Sequence, residues 1–171
     1  SDSKDSVSDI QAIVAKADAA IAKVETHTSQ DTALTVADYE AVGVTGVADA
    51  AGSDNLSAVN AQVLLAADGD ANSVADIQGL VAAGNAALSY LTTTIQPLTT
   101  APAAGSEGAG ELSVDAQLAA YAAAGVTGVS ADNLLAVNAQ LRLETDSDSK
   151  DSVSDIQAIV AKADAAIAKV E

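Results

Sequence analysis

Apolar residues recur every three or four positions through the first 25 residues of the chain, from Val7 to Val24. Because an α-helix turns once per 3.6 residues, this spacing collects them in one stripe along a helix of about five turns. Ser6 precedes the stripe as a suitable N-cap, and Asp9 falls in the first turn, where a carboxylate favours the helix dipole. The stripe consists of Val7, Ile10, Val14, Ala17, Ile21 and Val24.

The same segment occurs three times in the chain. Residues 1–25 recur without a change as residues 147–171, an offset of 146 residues. A diverged copy, SVADIQGLVAAGNAALSYL, occupies residues 73–91 and keeps the stripe. We expect this middle helix to continue through Ile95 until Pro97 stops it, because proline cannot supply the helical N–H. Exact repetition predicts that the parent protein contains further copies of the unit.

A second pair of blocks lies between the long helices. LTVADYEAVGVTGV at residues 34–47 resembles LSVDAQLAAYAAAGVTGV at residues 112–129, and DNLSAVNAQVLL at residues 54–65 resembles DNLLAVNAQLRL at residues 132–143. Each pair predicts a short helix, a Gly-containing turn and a middle helix. The predicted caps, short-helix tyrosines and buried middle-helix positions are Thr35, Ser113, Tyr39, Tyr121, Leu56, Val59, Val63, Leu134, Val137 and Leu141.

Small residues mark two kinds of position in these blocks. Gly43 and Gly125 follow the short helices, where glycine supplies the left-handed C-cap conformation. Ala17 and Gly84 share one position of the long-helix stripe. Because both are small, we expect another backbone to pass close to the long helix there.

The loops divide the chain into units. Residues 1–25 are interpreted as the closing helix of a preceding repeat, followed by a linker at 26–32. Residues 33–95 form one three-helix unit and residues 111–171 form a second. Residues 96–110, rich in Pro and Gly, have the composition of a linker between them.

The order of short helix, Gly-Val turn, middle helix with Asn60 or Asn138, and long Val/Ile helix resembles the GA module, the three-helix albumin-binding repeat of streptococcal surface proteins. It is still more similar to the alanine-rich GA-like repeats of very large secreted bacterial adhesins, in which blocks such as GVTGVSADNLLAVNAQL occur in tandem. The resemblance covers residues 33–95 and 111–171. It implies a repeated segment of a surface protein that contacts neighbouring repeats. Albumin binding is not implied, because the basic and aromatic residues of the GA contact face have no evident counterparts here.

Composition excludes several function classes. The chain has 24 acidic and 7 basic residues and a net charge of -17, so it offers no basic face for nucleic acid or for an anionic membrane. Much of its 49% hydrophobic content is alanine, and no run reaches the roughly 18 to 20 apolar residues that membrane insertion requires. Without cysteine, disulfides and thiolate metal sites cannot form. High negative charge and the lack of cysteine are typical of an exported chain, and we expect an extracellular location at the bacterial cell surface.

The acidic loop before the middle long helix is the candidate metal site. Hard oxygen ligands at alternate positions are what Ca²⁺ prefers. Against calcium, Ser73 stands where the loop pattern has glycine and Gly79 where it has glutamate, and the loop TDSDSKDSVSD does not keep the spacing. The alternative is a solvated loop whose aspartates cap the next helix, and this interpretation is favoured. Positions 1, 3, 5 and 9 of the calcium pattern are Asp68, Asp70, Asn72 and Asp76.

Other motifs carry no chemistry that the sequence supports. His27, Asp31 and the nearby serines are the residue types of a hydrolase triad, but no nucleophile elbow or oxyanion-hole motif accompanies them. Gly105, Gly108 and Gly110 lack the preceding strand and the Lys-Ser or Lys-Thr of a phosphate loop. The sequence predicts no catalytic residue and no cofactor other than the calcium ion.

We therefore expect an all-α fold of tandem three-helix bundles (GA-like), preceded by one extra long helix and elongated overall. The expected function is a non-catalytic spacer in the extracellular stalk of a large bacterial adhesin, which extends a terminal binding domain from the cell. The alternative is a GA-like binding module that grips a host protein or a neighbouring surface protein through a helix face. An apolar patch exposed at the same positions of every unit would favour binding, whereas faces rich in Ala, Ser and Asp favour the spacer.

Overall fold

A computed structural model of the chain describes residues 6–28, 31–50, 53–67, 69–97, 112–146 and 149–169. Within these ranges the chain forms seven α-helices and no strand, which confirms the all-α class. The middle long helix continues into a π-helical segment, Leu91–Ile95, and so reaches Ile95 as expected. The α-helices are α1 Val7–Glu25, α2 Val36–Val42, α3 Leu56–Leu65, α4 Val74–Tyr90, α5 Val114–Ala123, α6 Leu134–Leu143 and α7 Val153–Ile167.

The three long helices α1, α4 and α7 begin in the same way. The N-cap hydroxyls of Ser6, Ser73 and Ser152 each accept the backbone N–H of the aspartate three residues later, at 3.1 to 3.2 Å. Each hydroxyl also donates to that aspartate's carboxylate. The first four N–H groups of a helix have no intrahelical partner, and here a local sequence of four residues satisfies one of them and fixes the start of the helix.

Glycine residues end the first short helix and determine the turn that follows each of the two short helices. Gly43 caps α2 with φ +91°, and Gly125 follows α5 with φ +72°, as the C-cap prediction required. Gly46 and Gly128, in the next turn, also have positive φ values of +83° and +79°. This left-handed region is costly for residues with a Cβ, so the Gly-Val-Thr-Gly sequence specifies the turn.

Gly84 and Gly125 permit close backbone approaches. A Cβ at Gly84 would lie 3.0 Å from the backbone nitrogen of Val59, so α3 crosses α4 at this small residue, as expected for its stripe position. A Cβ at Gly125 would lie 2.4 Å from the carbonyl carbon of Ser57, at the start of α3. The turn after α5 is therefore pressed against α3.

Helices pack in pairs, with α1 on α2, α3 on α4 and α6 on α7. Their buried side chains form two hydrophobic clusters. The first cluster contains Val24, Leu34, Tyr39, Val42, Val44, Val59, Val63, Ala71, Ile77 and Val81. The second cluster contains Ala58, Leu88, Leu91, Ile95, Tyr121, Ala124, Val126, Leu134, Val137, Leu141, Val153, Ile156, Ile159, Val160 and Ala163.

Helix α4 contributes to both clusters. Ile77 and Val81, in its N-terminal half, lie in the first cluster, whereas Leu88 lies in the second. The π-helical segment adds Leu91 and Ile95 to the second cluster. Residues 88–95 were assigned to the first unit from the sequence, and in the structure they pack on helices of the second. The unit boundaries stay a prediction, and residues 98–110 of the predicted linker lie outside the described residues.

Hydrogen bonds also join the part of the chain before residue 98 to the part after residue 111. The Gln96 side chain donates to the carbonyls of Leu141 and Glu144, at 3.0 and 3.1 Å, and so satisfies carbonyls at the end of α6. The Gln62 side chain donates to the carbonyl of Ala123 at 2.7 Å. At the start of α7, the backbone N–H of Val153 donates to the carbonyl of Asp54, which precedes α3.

Candidate functional site

The predicted calcium loop is occupied by helix-capping interactions. Asp76 accepts hydrogen bonds from the N-cap Ser73, and Asp70 accepts the backbone N–H of Ala67 at 3.3 Å. Asn72 is exposed, and Asp68 lies outside the described residues. In the described part of the chain, no group of three or more His, Cys, Asp or Glu residues is arranged to hold a metal ion. Calcium binding stays a prediction, and the capping geometry is shared by all three long helices.

His27 and Asp31 follow α1. The backbone N–H of His27 donates to the carbonyl of Val24, which closes the last turn of the helix. Asp31 accepts hydrogen bonds from the backbone N–H and the hydroxyl of Thr28, each at 2.8 Å. These bonds lower the pKa of the Asp31 carboxyl, and the nearby His27 adds a smaller lowering. The carboxylate is thus engaged in shaping the loop.

Buried tyrosines in the short helices hold the middle helices through their hydroxyls. Tyr39 donates to the side-chain oxygen of Asn60 at 2.6 Å, and Tyr121 donates to that of Asn138 at 2.8 Å. Burial raises the pKa of both phenols well above its usual value, so they stay protonated donors. The sequence places these tyrosines in the predicted short helices but does not indicate that they are paired with asparagines.

The two asparagines differ in how their amide groups are satisfied. Asn60 donates to the backbone carbonyl of Leu34 at 2.9 Å. Asn138 donates instead to the side chain of Gln117, which in turn donates to the carbonyl of Leu112. The second short helix carries four more residues between cap and tyrosine, about one helical turn. Gln117 bridges the extra distance that this turn creates.

A glutamine on α4 and another on α7 each bind one of the two Val-Thr-Gly turns. Gln78 on α4 accepts the backbone N–H of Thr45 at 3.1 Å and donates to its carbonyl at 3.0 Å. Gln157 on α7 makes the same two bonds to Thr127, at 3.0 and 2.9 Å. The side-chain amide therefore bonds both the N–H and the carbonyl of one threonine and fixes the turn against the helix. We call this arrangement the glutamine bridge.

A second polar contact joins the N-cap of each middle helix to the same long helix. Asn55 donates from its side-chain nitrogen to Asn85 on α4 at 2.7 Å. Asn133 donates in the same way to the carboxylate of Asp164 on α7 at 2.8 Å. The same amide groups also bond to the carbonyls of the turn glycines, Gly46 and Gly128. The glutamine bridge and this asparagine anchor thus recur on α4 and α7.

Five positions on the N-terminal half of each long helix make up what we call the closing face. On α7 every one of them is buried, with side chains 0 to 4% exposed. The identical residues on α1 are 71%, 55%, 48% and 53% exposed at Val7, Ile10, Ile13 and Val14. The repeat predicts the same buried stripe in both copies, covered on α1 either by the bundle of residues 33–95 or by another molecule. The rest of the described chain does not cover this half of α1, and cover by another molecule stays a prediction. The closing face is Val7, Ile10, Ile13, Val14 and Ala17 on α1, and Val153, Ile156, Ile159, Val160 and Ala163 on α7.

The C-terminal half of α1 is docked. Val24 is fully buried in the first cluster, and Ala20 and Ile21 pack against it. At its edge, Lys23 forms an ion pair with Asp38 of α2 at 2.5 Å. The bond from Lys23 is the main reason why the pKa of Asp38 lies below its usual value. One helix therefore presents a covered half and an apolar, uncovered half.

The closing face of α1 is the strongest candidate functional surface among the described residues. Four of the ten large hydrophobic side chains that are exposed lie on it, within about one third of the helix circumference. No helix in the described ranges combines the length and the apolar character needed to cross a membrane. Comparisons with family models, with curated proteins and with solved structures found no match to this chain.

Proposed function

We propose that the chain is a non-catalytic spacer from the extracellular stalk of a large bacterial adhesin. In this proposal residues 33–95 and 111–171 are tandem three-helix units of the GA-like kind, and α1 is the closing helix of a preceding unit. The role is mechanical: each repeat adds length between the cell and a terminal binding domain.

The observation that carries this proposal is the position of α4 in both clusters. Ile77 and Val81 belong to one cluster, and Leu88, Leu91 and Ile95 belong to the next. A helix of 17 residues is ~26 Å long at 1.5 Å per residue. Since this one helix packs in two successive cores, it fixes the orientation of neighbouring units relative to each other. A spacer requires such a fixed orientation.

Charge and resemblance support the same role. The net charge of -17 disfavours association between neighbouring stalks. The likeness to GA-like adhesin repeats suggests an extracellular setting at the bacterial surface.

Small-angle scattering on chains of one, two and three 146-residue periods tests the spacer. We expect the maximum dimension to increase by a constant amount with each period. A matched chain carrying Leu91→Asp and Ile95→Asp, which disrupts α4 packing in the second cluster, should lose this regular increment. A maximum dimension that stops increasing after the first period would contradict the spacer.

The alternative function, a protein-binding module, is favoured by one observation. Leu65 and Leu143 hold equivalent positions at the ends of α3 and α6, and both are strongly exposed. Such a module would grip a host protein or a neighbouring surface protein through these middle-helix ends. Adhesion of the chain to immobilised serum proteins, compared with the double variant Leu65→Ser, Leu143→Ser, tests it: the spacer predicts equal retention, whereas loss of retention favours the module.

A further inference from the structure

We propose that the closing face of α1 is a docking surface for a pair of helices whose surface is like that of α5 and α6. The partner consists of a short helix, a Gly-Val-Thr-Gly turn and a middle helix with an asparagine N-cap, as in residues 112–146. Such docking would hold whether or not the chain serves as a spacer.

The apolar part of the argument comes from the identity of α1 and α7. The closing face of α7 is buried in the second cluster with Tyr121, Leu134, Val137 and Leu141 of α5 and α6. Because α1 has the same residues in the same order, it presents the same apolar shape to solvent. A surface that is complementary to one helix is complementary to the other.

Polar groups on α1 make the expected partner more specific. Gln11 is the counterpart of Gln157, which forms the glutamine bridge, and Asp18 is the counterpart of Asp164, which accepts the asparagine anchor. Both Gln11 and Asp18 are exposed. A partner that offers the backbone N–H and carbonyl of one threonine and the side-chain amide of one asparagine would pair both groups.

The register of α1 is already that of a closing helix. Its residues Ile21 and Val24 pack in the first cluster, and their counterparts, Leu88 on α4 and Leu91 in the π-helical segment, pack in the second. On α4 the N-terminal half closes one core while the C-terminal half docks on the next. Beyond its docked half, α1 therefore continues into a face whose counterpart on α4 packs in the first cluster.

A second copy of this chain is a poor occupant. Its α6 and the turn after α5 are already covered by α7, whose residues are identical to those of α1. Exchange would expose one closing face for each one it buried, with no net gain in contacts. The fitting occupant is a helix pair of this kind whose closing face is still vacant.

The test extends the full chain by a second copy of residues 112–146 placed before residue 1. Because residues 1–25 equal residues 147–171, the extension continues into α1 as residues 112–146 continue into α7. The chain has no cysteine, so Ile13→Cys introduces a single thiol on the closing face. We expect its reaction with a soluble thiol reagent to be at least tenfold slower in the extended chain than in the 171-residue chain.

Two matched thiols control for accessibility. Ala12→Cys lies on the opposite side of α1, and its counterpart Ala158 is exposed on α7, so it should react equally fast in both chains. Ile159→Cys is the buried counterpart of Ile13→Cys and should react slowly in both. Equal rates for Ile13→Cys with and without the extension would overturn the proposal.

Two further measurements test the occupant and the polar anchors. Protection of Ile13→Cys that rises with the concentration of the unextended chain would make a second copy the occupant and overturn the assignment. In the extended chain, the double variant Gln11→Ala, Asp18→Ala should recover at least threefold of the lost reactivity. Full protection in that variant would overturn the role of the two anchors.

Discussion

Helices α1 and α7 have the same residues, yet their N-terminal halves lie in opposite environments. On α7 the closing face is buried under α6 and the turn after α5, whereas on α1 the same face is exposed. Both form helices, because both have the Ser and Asp cap and the same intrinsic propensities. The stripe therefore indicates which side of a helix can be buried, and the neighbouring chain decides whether it is.

The largest expected difference comes from one substitution made in the two copies. Ile156→Ala removes a fully buried side chain and should lower the free energy of unfolding by about 2 to 5 kcal/mol. Ile10→Ala removes a side chain that is more than half exposed, and should change the free energy of unfolding by less than about 0.5 kcal/mol. Urea titration of both variants measures the difference. Equal losses would mean that α1 is covered as α7 is.

A second comparison concerns the loops before α4 and α7. If Ca²⁺ binds at residues 68–76, we expect weak affinity, near the ~10⁻⁴ to 10⁻³ M of extracellular modules. At tenfold excess over Kd, the ion would raise stability by about 1.4 kcal/mol. Thermal melts with millimolar calcium and with chelator measure this, and Asp68→Ala with Asp70→Ala should abolish it.

The loop before α7 supplies the control for calcium. Asp146→Ala should leave any calcium response unchanged, because that loop does not keep the spacing. A melting temperature of the parent chain that ignores calcium would leave helix capping as the sole role of the aspartates.

The glutamine bridge distinguishes the two identical helices on a smaller scale. Gln157→Ala removes two hydrogen bonds to the backbone and one to the hydroxyl of Thr127, in an exposed turn, and should cost about 1 kcal/mol. Gln11→Ala, at the same position of α1, should cost almost nothing in the 171-residue chain. Denaturant titration compares the two, and a cost at Gln11 equal to that at Gln157 would show that α1 already has a partner.

The smallest effect belongs to the docked half of α1. The pKa of Asp38 is lowered in the folded chain, chiefly by Lys23, so the ion pair adds stability above the ordinary carboxyl pKa. That contribution is lost as the pH falls through the lowered value. Because the pair is largely at the surface, it is worth about 0.2 to 1 kcal/mol.

Substitution of the lysine checks the ion pair. Lys23→Gln should remove this part of the acid dependence of unfolding, whereas Lys169→Gln, the same change in the second copy just after α7, should not. Identical pH profiles for Lys23→Gln and the parent chain would contradict the ion pair.

Local features of this fold could be predicted from the sequence. The helices, the Ser caps and the glycine C-caps depend on residues within one or two turns of each other, which a repeated pattern makes plain. The small residue Gly84 was also correctly associated with a close backbone. These features require no knowledge of what lies on the other side of the core.

Long-range features could not be predicted in the same way. The sequence does not state that residues 88–95 pack on the second cluster, because an apolar stripe fits any apolar partner. Gln117 was missed because its role arises from an extra turn in α5. The glutamine bridge had a signal: Gln11, Gln78 and Gln157 share one position in all three copies. As for the calcium loop, the spacing of its aspartates fits both an ion and a helix cap.

The shared helix α4 has a consequence for how an array of such units would denature. When one unit unfolds, its neighbour loses Leu88, Leu91 and Ile95 from its core, so the free energies of the two are coupled. Coupling between nearest neighbours makes melting cooperative along the array, in the manner of a one-dimensional Ising chain. Arrays should then melt at higher temperatures and more sharply as units are added, with fraying confined to the two terminal units.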